Sequence, residues 1–178
     1  RLEQRLSGDT AEARFASYLG WLSAPGTMLR LFEEYPVLAR LLAEHTERRI
    51  AVASELLQRL AADWPAITRA LGLPDDPGEL TRAAMAGDHH DEGRAVTMLQ
   101  WSSGAELAYK PKPLAVDVHF QELVAWLNER GASPPLPILP VLDCGGHGYT
   151  AVVHPKACVT EGAVGRFFER QGELLALF

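Results

Sequence analysis

The stretch Ala95–Pro111, "AVTMLQWSSGAELAYKP", decides the fold. "AVTMLQW" is rich in β-forming residues and roughly alternates in polarity, "SSG" is a turn, and "AELAYKP" is a second strand. Residues 95 to 111 therefore read as a β-hairpin. On the second strand Leu107 and Tyr109 share one face and Ala108 and Lys110 the other. A lysine inside a strand of apolar character, fixed by Pro111, is less expected than a loop lysine. It is either an edge-strand residue or a phosphate clamp. In protein kinases a strand lysine contacts nucleotide phosphates and pairs with a carboxylate on the next helix.

That next helix follows directly. "VDVHFQELVAWLNERG" puts Phe120, Leu123, Val124 and Leu127 on one helical stripe and ends at Asn128 to Gly131. Asp117 and Glu122 both lie in it or at its start, and the sequence does not choose between them as partner of Lys110. The proline-rich "GASPPLPILP" cannot be a central strand. "VLDCGGHGYTAVVHP" then reads as two short strands joined by a Gly-rich turn, and a last helix starts near Glu161. Its period continues through Phe167, Phe168, Leu174, Leu175 and Phe178 without a stop signal, and the chain opens at Arg1, so a piece of a larger domain is expected.

Towards the N-terminus, residues 1 to 86 read as helical. Asp9 is expected to cap a helix, with Glu12 three residues on and Phe15, Leu19 and Leu22 at helical spacing. "SAPG" breaks it, and Pro36 is well placed to start the next helix because its missing N–H costs nothing in a first turn. Apolar residues from Val37 to Leu60 mark one or two long amphipathic helices. "GLPDDPGEL" is a loop, and a short helix is expected towards Ala86.

Between the helical zone and the hairpin lies "GDHHDEGRAV", Gly87–Val96, with two histidines and three carboxylates. Imidazole and carboxylate suit divalent metals, but Asp88, His89, His90 and Asp91 are consecutive, and neighbours in an extended segment point in opposite directions. At most two would serve one ion, so no metal site is assigned. The letters "DHH" also occur in manganese-dependent phosphoesterases, there after a buried apolar strand, whereas "LTRAAMAG" here is helix-like. An acid/base pair needs only one carboxylate and one imidazole on the same side, which Asp88 and His90 satisfy in an extended loop. From spacing alone a solvated, Gly-flanked turn is the plainer reading.

Composition narrows the classes further. The 178 residues fit one domain of ordinary size or part of a larger one, and 47% hydrophobic with 22% charged residues is typical of a globular chain. A net charge of −6 argues against nucleic acid as partner. No apolar run is long enough to span a bilayer, no signal peptide is present, and the two cysteines, Cys144 and Cys158, fit a cytoplasmic setting. Neither cysteine has a persuasive histidine neighbour, although His154 lies four residues before Cys158, and neither a GxSxG elbow nor a P-loop occurs.

Taken together, Gly87 to Asn128 resembles the dehydratase domain of class II lanthipeptide synthetases, the LanM type. Their motif runs approximately G-D-x-H-x-x-G-(K/R)-x-V, a hairpin, Y-K-P-(R/K)-x-L, and a helix with F and W-L-N. Here it is carried by Gly87, Asp88, His90, Gly93, Arg94 and Val96, then Tyr109, Lys110, Pro111, Lys112 and Leu114, then Phe120, Trp126, Leu127 and Asn128. "RLSGDTAEARF", "EEYPVLARLL" and "RFFERQGELLAL" also look like family segments.

The resemblance implies an α+β chain: a helical subdomain over residues 1–86, a kinase-like small lobe with hairpin, helix and interlobe strand over 87–155, and the start of a second lobe over 156–178. It implies an enzyme that uses ATP and Mg2+ to phosphorylate Ser and Thr of a precursor peptide and then eliminates phosphate to give dehydroalanine and dehydrobutyrine. Lys110 corresponds to the lysine holding ATP phosphates, and Asp88 and His90 to the pair assigned to dehydration. Zinc belongs to a separate cyclase domain. "HGYTAVV", His147–Val153, departs from the family's pattern of Y-G-W and an acidic residue. The catalytic-loop pattern D-x-H-x-x-N is expected after Phe178, so the 178 residues by themselves are expected to be inactive. The rival readings are a metal-dependent phosphoesterase using the Asp–His cluster and a non-catalytic helical peptide-binding module.

Overall fold

The computed structural model of the chain describes residues 7–90 and 93–177, with His89 and His90 described by their backbone alone. It contains helices α1 (Ala11–Leu22), α2 (Thr27–Glu34) and α3 (Pro36–Leu71), strands β1 (Leu80–His90), β2 (Arg94–Trp101) and β3 (Glu106–Lys110), helix α4 (Ala115–Glu129), strands β4 (Val141–Asp143) and β5 (Gly148–Thr150), and helix α5 (Glu161–Leu175). The chain divides into two compact units, Arg1–Ser54 and Glu55–Phe178, and the division falls within α3.

In the first unit the cap of α1 is Thr10 rather than Asp9: the Thr10 hydroxyl accepts the Ala13 N–H at 3.1 Å, satisfying one of the donors a helix start leaves unpaired. "SAPG" does break the helix, and α2 then intervenes before Pro36 opens α3. The apolar run from Val37 to Leu60 lies in a single helix of 36 residues. No described helix is long and apolar enough to cross a membrane.

All the buried apolar side chains described belong to the second unit. Its five strands form an antiparallel sheet in the order β1-β2-β3-β5-β4. The hairpin reading holds: Leu99 pairs with Leu107 and Thr97 with Tyr109, and β2 buries every second residue. Leu56, Leu60 and Ile67 of α3 pack on the face formed by Leu99, Trp101, Leu107, Tyr109 and Tyr149. Residues four and seven apart on a helix lie along one side, which is why this end of α3 covers the sheet. The opposite face carries Ala108, Lys110 and Gly148, with fully buried Leu114 against Gly148 just before α4.

Residues 80–86, expected as a short helix, are strand. Arg82 to Ala86 pair with Gln100 to Val96, and Thr81 Oγ1 donates to the Gln100 carbonyl at 3.0 Å. Three alanines and a methionine favour helix only by tenths of a kcal/mol each, and a ladder to β2 outweighs that. The phosphoesterase comparison loses its helical counter-argument, but β1 is a largely exposed edge strand, not a buried apolar one.

Candidate functional site

Lys110 ends β3, and its ammonium lies 3.4 Å from Asp117 Oδ1 in the first turn of α4. Of the two carboxylates the sequence left open, Asp117 is the partner, while Glu122 faces His119 at 2.9 Å on the exposed side of the helix. The start of α4 is fixed from β4: Asp143 Oδ1 accepts the Leu114 N–H at 2.7 Å. Gly148 sits opposite Lys110 across the sheet, where a Cβ would lie 2.6 Å from Leu114 Cδ1 and 2.4 Å from the Leu142 carbonyl. Absence of a side chain at 148 is therefore what lets Leu114 close over this face.

A second feature gathers the other half of the motif. Gly87, Asp88, Arg94, Val96, Pro111 and Lys112 line one cavity of about 530 Å³, within the range of small-ligand pockets. Gly87 has φ +85°, at the irregularity of register between Ala86 and His90, a conformation that side chains with a Cβ rarely adopt. This bulge presents Asp88 to the cavity. Arg94 is held in place by Glu55 of α3, with Nε at 3.0 Å and Nη2 at 2.9 Å from Glu55 Oε2. One carboxylate and two cations thus share a recess, an arrangement suited to an anionic group undergoing proton transfer. The His90 backbone pairs with Arg94, and its side chain lies outside the described residues. Lys110 is not among the described lining residues, though its neighbours Pro111 and Lys112 are.

Two other motif positions, Tyr109 and Asn128, make structural contacts. The Tyr109 hydroxyl accepts from Arg59 Nη1 at 2.7 Å, and Arg59 also pairs with Glu55. Asn128 spans the proline-rich connection, donating to the Leu136 carbonyl at 2.9 Å and accepting its N–H at 2.8 Å.

A third cluster escaped the sequence reading. Asp63 Oδ2 accepts from His147 Nε2 at 2.6 Å and from the Tyr149 hydroxyl at 2.9 Å, with Cys144 alongside. Burial, reinforced by the Asp63 carboxylate, pushes the Cys144 thiol up to about 11 and drives the Tyr149 phenol well above its ordinary range. Burial raises the Tyr109 phenol too, against the opposing pull of the Arg59 guanidinium. The Cys144–His147 spacing across a glycine turn was the available signal. Asp63, on a helix far earlier in the chain, had none.

Residues 35–178 match the model of a family described as a domain of unknown function, DUF4135. No curated protein matches the chain.

Proposed function

The chain belongs to the DUF4135 family, and on that premise we propose that it forms part of the dehydratase of a class II lanthipeptide synthetase. The family is associated with such synthetases. The single observation that carries the reading is the Lys110–Asp117 pair: a lysine on the third strand of an antiparallel sheet, matched to a carboxylate on the helix that follows. That is the arrangement by which kinases hold nucleotide phosphates. Asp117 is shorter than the glutamate of protein kinases and stands in the helix's first turn, so the pair sits close to the loop joining β3 to α4.

On this reading the sheet from β1 to β5 with α4 forms the small lobe of a kinase-like fold, the helices before Leu80 a helical subdomain, and 156–178 lead into the second lobe. ATP with Mg2+ supplies the phosphoryl group for Ser and Thr of a precursor peptide. Lys110 holds the nucleotide phosphates as a fixed cation, positioned by Asp117. No Mg2+ ligand is assigned among these residues.

Elimination requires removal of the substrate's α-proton and stabilisation of the departing phosphate. Asp88 and His90 are assigned to this half reaction as a pair. Arg94 and Lys112, lining the cavity with Asp88, supply the positive charge that a leaving phosphate needs. The pattern D-x-H-x-x-N does not occur in these 178 residues, so the experiment uses the complete synthetase.

With precursor peptide, ATP and Mg2+, mass spectrometry should show peptide that has lost water at Ser and Thr. Asp88→Ala and His90→Ala should each accumulate phosphorylated peptide or lose dehydration. Normal dehydrated product from both variants would remove the pair from the mechanism.

A further inference from the structure

We propose that Asp63, Cys144 and His147 form a zinc site that clips α3 to the β4–β5 turn, with solvent as the fourth ligand. Among the described residues this is the only group of three carboxylate, thiol and imidazole side chains whose donor atoms all lie within 4.8 Å of one another. A tetrahedral zinc needs its N, O and S donors roughly 3.3–3.7 Å apart. His147 Nε2 and Asp63 Oδ2, 2.6 Å apart, would open to that spacing, and all the donor atoms already lie within 4.8 Å of one another.

The backbone already converges the ligands. In the turn Cys144-Gly145-Gly146-His147 the Cys144 N–H donates to the His147 carbonyl at 2.8 Å, and Gly145 has φ +83°. A thiol and an imidazole three positions apart in sequence are thereby brought onto the face of the sheet that α3 covers. Asp63 meets them from the helix. Its partners are His147, Tyr149 and the Cys144 thiol, and no described Lys or Arg neutralises it. A half-buried carboxylate so placed lacks a fixed cation, and a bound divalent ion would supply one.

The donor chemistry selects the metal. Thiolate with imidazole and carboxylate is a zinc set, whereas magnesium or calcium would call for oxygen ligands alone. Tyr149, whose hydroxyl already donates to Asp63, would orient the carboxylate from behind as outer-shell partners of metal ligands do. Binding would displace the thiol proton to solvent and replace the His147–Asp63 hydrogen bond, with the neutral imidazole carrying its proton on Nδ1 so that Nε2 is free to ligate. The ion would join residues 81 and 84 positions apart in sequence, so the expected consequence is stability of the sheet against α3. This site is separate from the Asp88 cavity and stands apart from the proposed dehydration.

The test uses the full 178-residue chain, stripped with a chelator and titrated with Zn2+ against a chromophoric competitor, and in parallel with Co2+ by visible absorption. The expected result is one equivalent bound, a thiolate-to-cobalt charge-transfer band, and a rise in Tm with added Zn2+. Cys144→Ser should abolish the band and the one-equivalent binding. Tyr149→Phe should weaken affinity about 10–100-fold, and Cys158→Ser should change nothing. Absence of stoichiometric binding in the unsubstituted chain would overturn the proposal, as would an unchanged band in Cys144→Ser or a band lost in Cys158→Ser.

Discussion

The Asp143 carboxylate accepts the Leu114 N–H at 2.7 Å, and through that bond β4 fixes the start of α4. A charged acceptor at the N-terminus of a helix also meets the positive end of its dipole. Asp143→Ala should cost about 1–2 kcal/mol of stability by urea denaturation. The same variant should loosen Asp117, one turn further on, and so weaken whatever Lys110 holds. Unchanged stability would mean that Leu114 and its packing on Gly148 locate α4 without help.

Gly148 offers a cleaner packing test because its backbone is not in the left-handed region. An added methyl would meet the Leu142 carbonyl and Leu114 together. Gly148→Ala is expected to destabilise by about 1–3 kcal/mol through overpacking. Gly146→Ala, in the same hairpin, meets nothing within 4 Å and should stay within about 0.5 kcal/mol. Equal effects of the two would contradict the close approach.

The hairpin and α4 were legible in the sequence because their apolar positions repeat with periods of two and about 3.6, and the structure keeps both. Leu107 and Tyr109 do face α3, and Lys110 the α4 side. Residues 80–86 were misread because alanine's helical preference is local, while the ladder that makes them a strand belongs to residues 96–101. Asp9 and Thr10 are both good caps, and only backbone geometry separates them. The choice of Asp117 over Glu122 depended on where α4 begins, to within a single turn. Asp63 with His147 was beyond reach because helix and turn meet only through the packing of α3 on the sheet.

Alkaline pH should destabilise the metal-free chain. Burial raises both Tyr109 and Tyr149 above the ordinary phenol value of 10.0. The native state therefore keeps their protons at pH values where the unfolded chain releases them. Stability from this source is complete below about pH 10 and declines as pH rises beyond it. Chemical denaturation at successive pH values, in chelator, should show that fall, and Tyr149→Phe should reduce it. A flat profile from pH 9 to 11 would contradict the burial of these phenols.

The two cysteines should differ in reactivity. Cys158 is exposed, whereas Cys144 is partly buried and its thiol is pushed up to about 11, chiefly by desolvation and then by Asp63. Alkylation at pH 7.5, followed by peptide mass mapping, should modify Cys158 well before Cys144. Faster modification of Cys144 would show that its thiol is neither shielded nor held protonated.

The central claim is that Lys110 holds the phosphates of a nucleotide. The most direct measurement is phosphorylation and dehydration of a cognate precursor peptide by the complete synthetase carrying Lys110→Ala, read by mass spectrometry. The account predicts loss of both phosphorylated and dehydrated peptide, with Asp117→Asn giving a smaller loss in the same direction. Undiminished phosphorylation and dehydration by Lys110→Ala would contradict it.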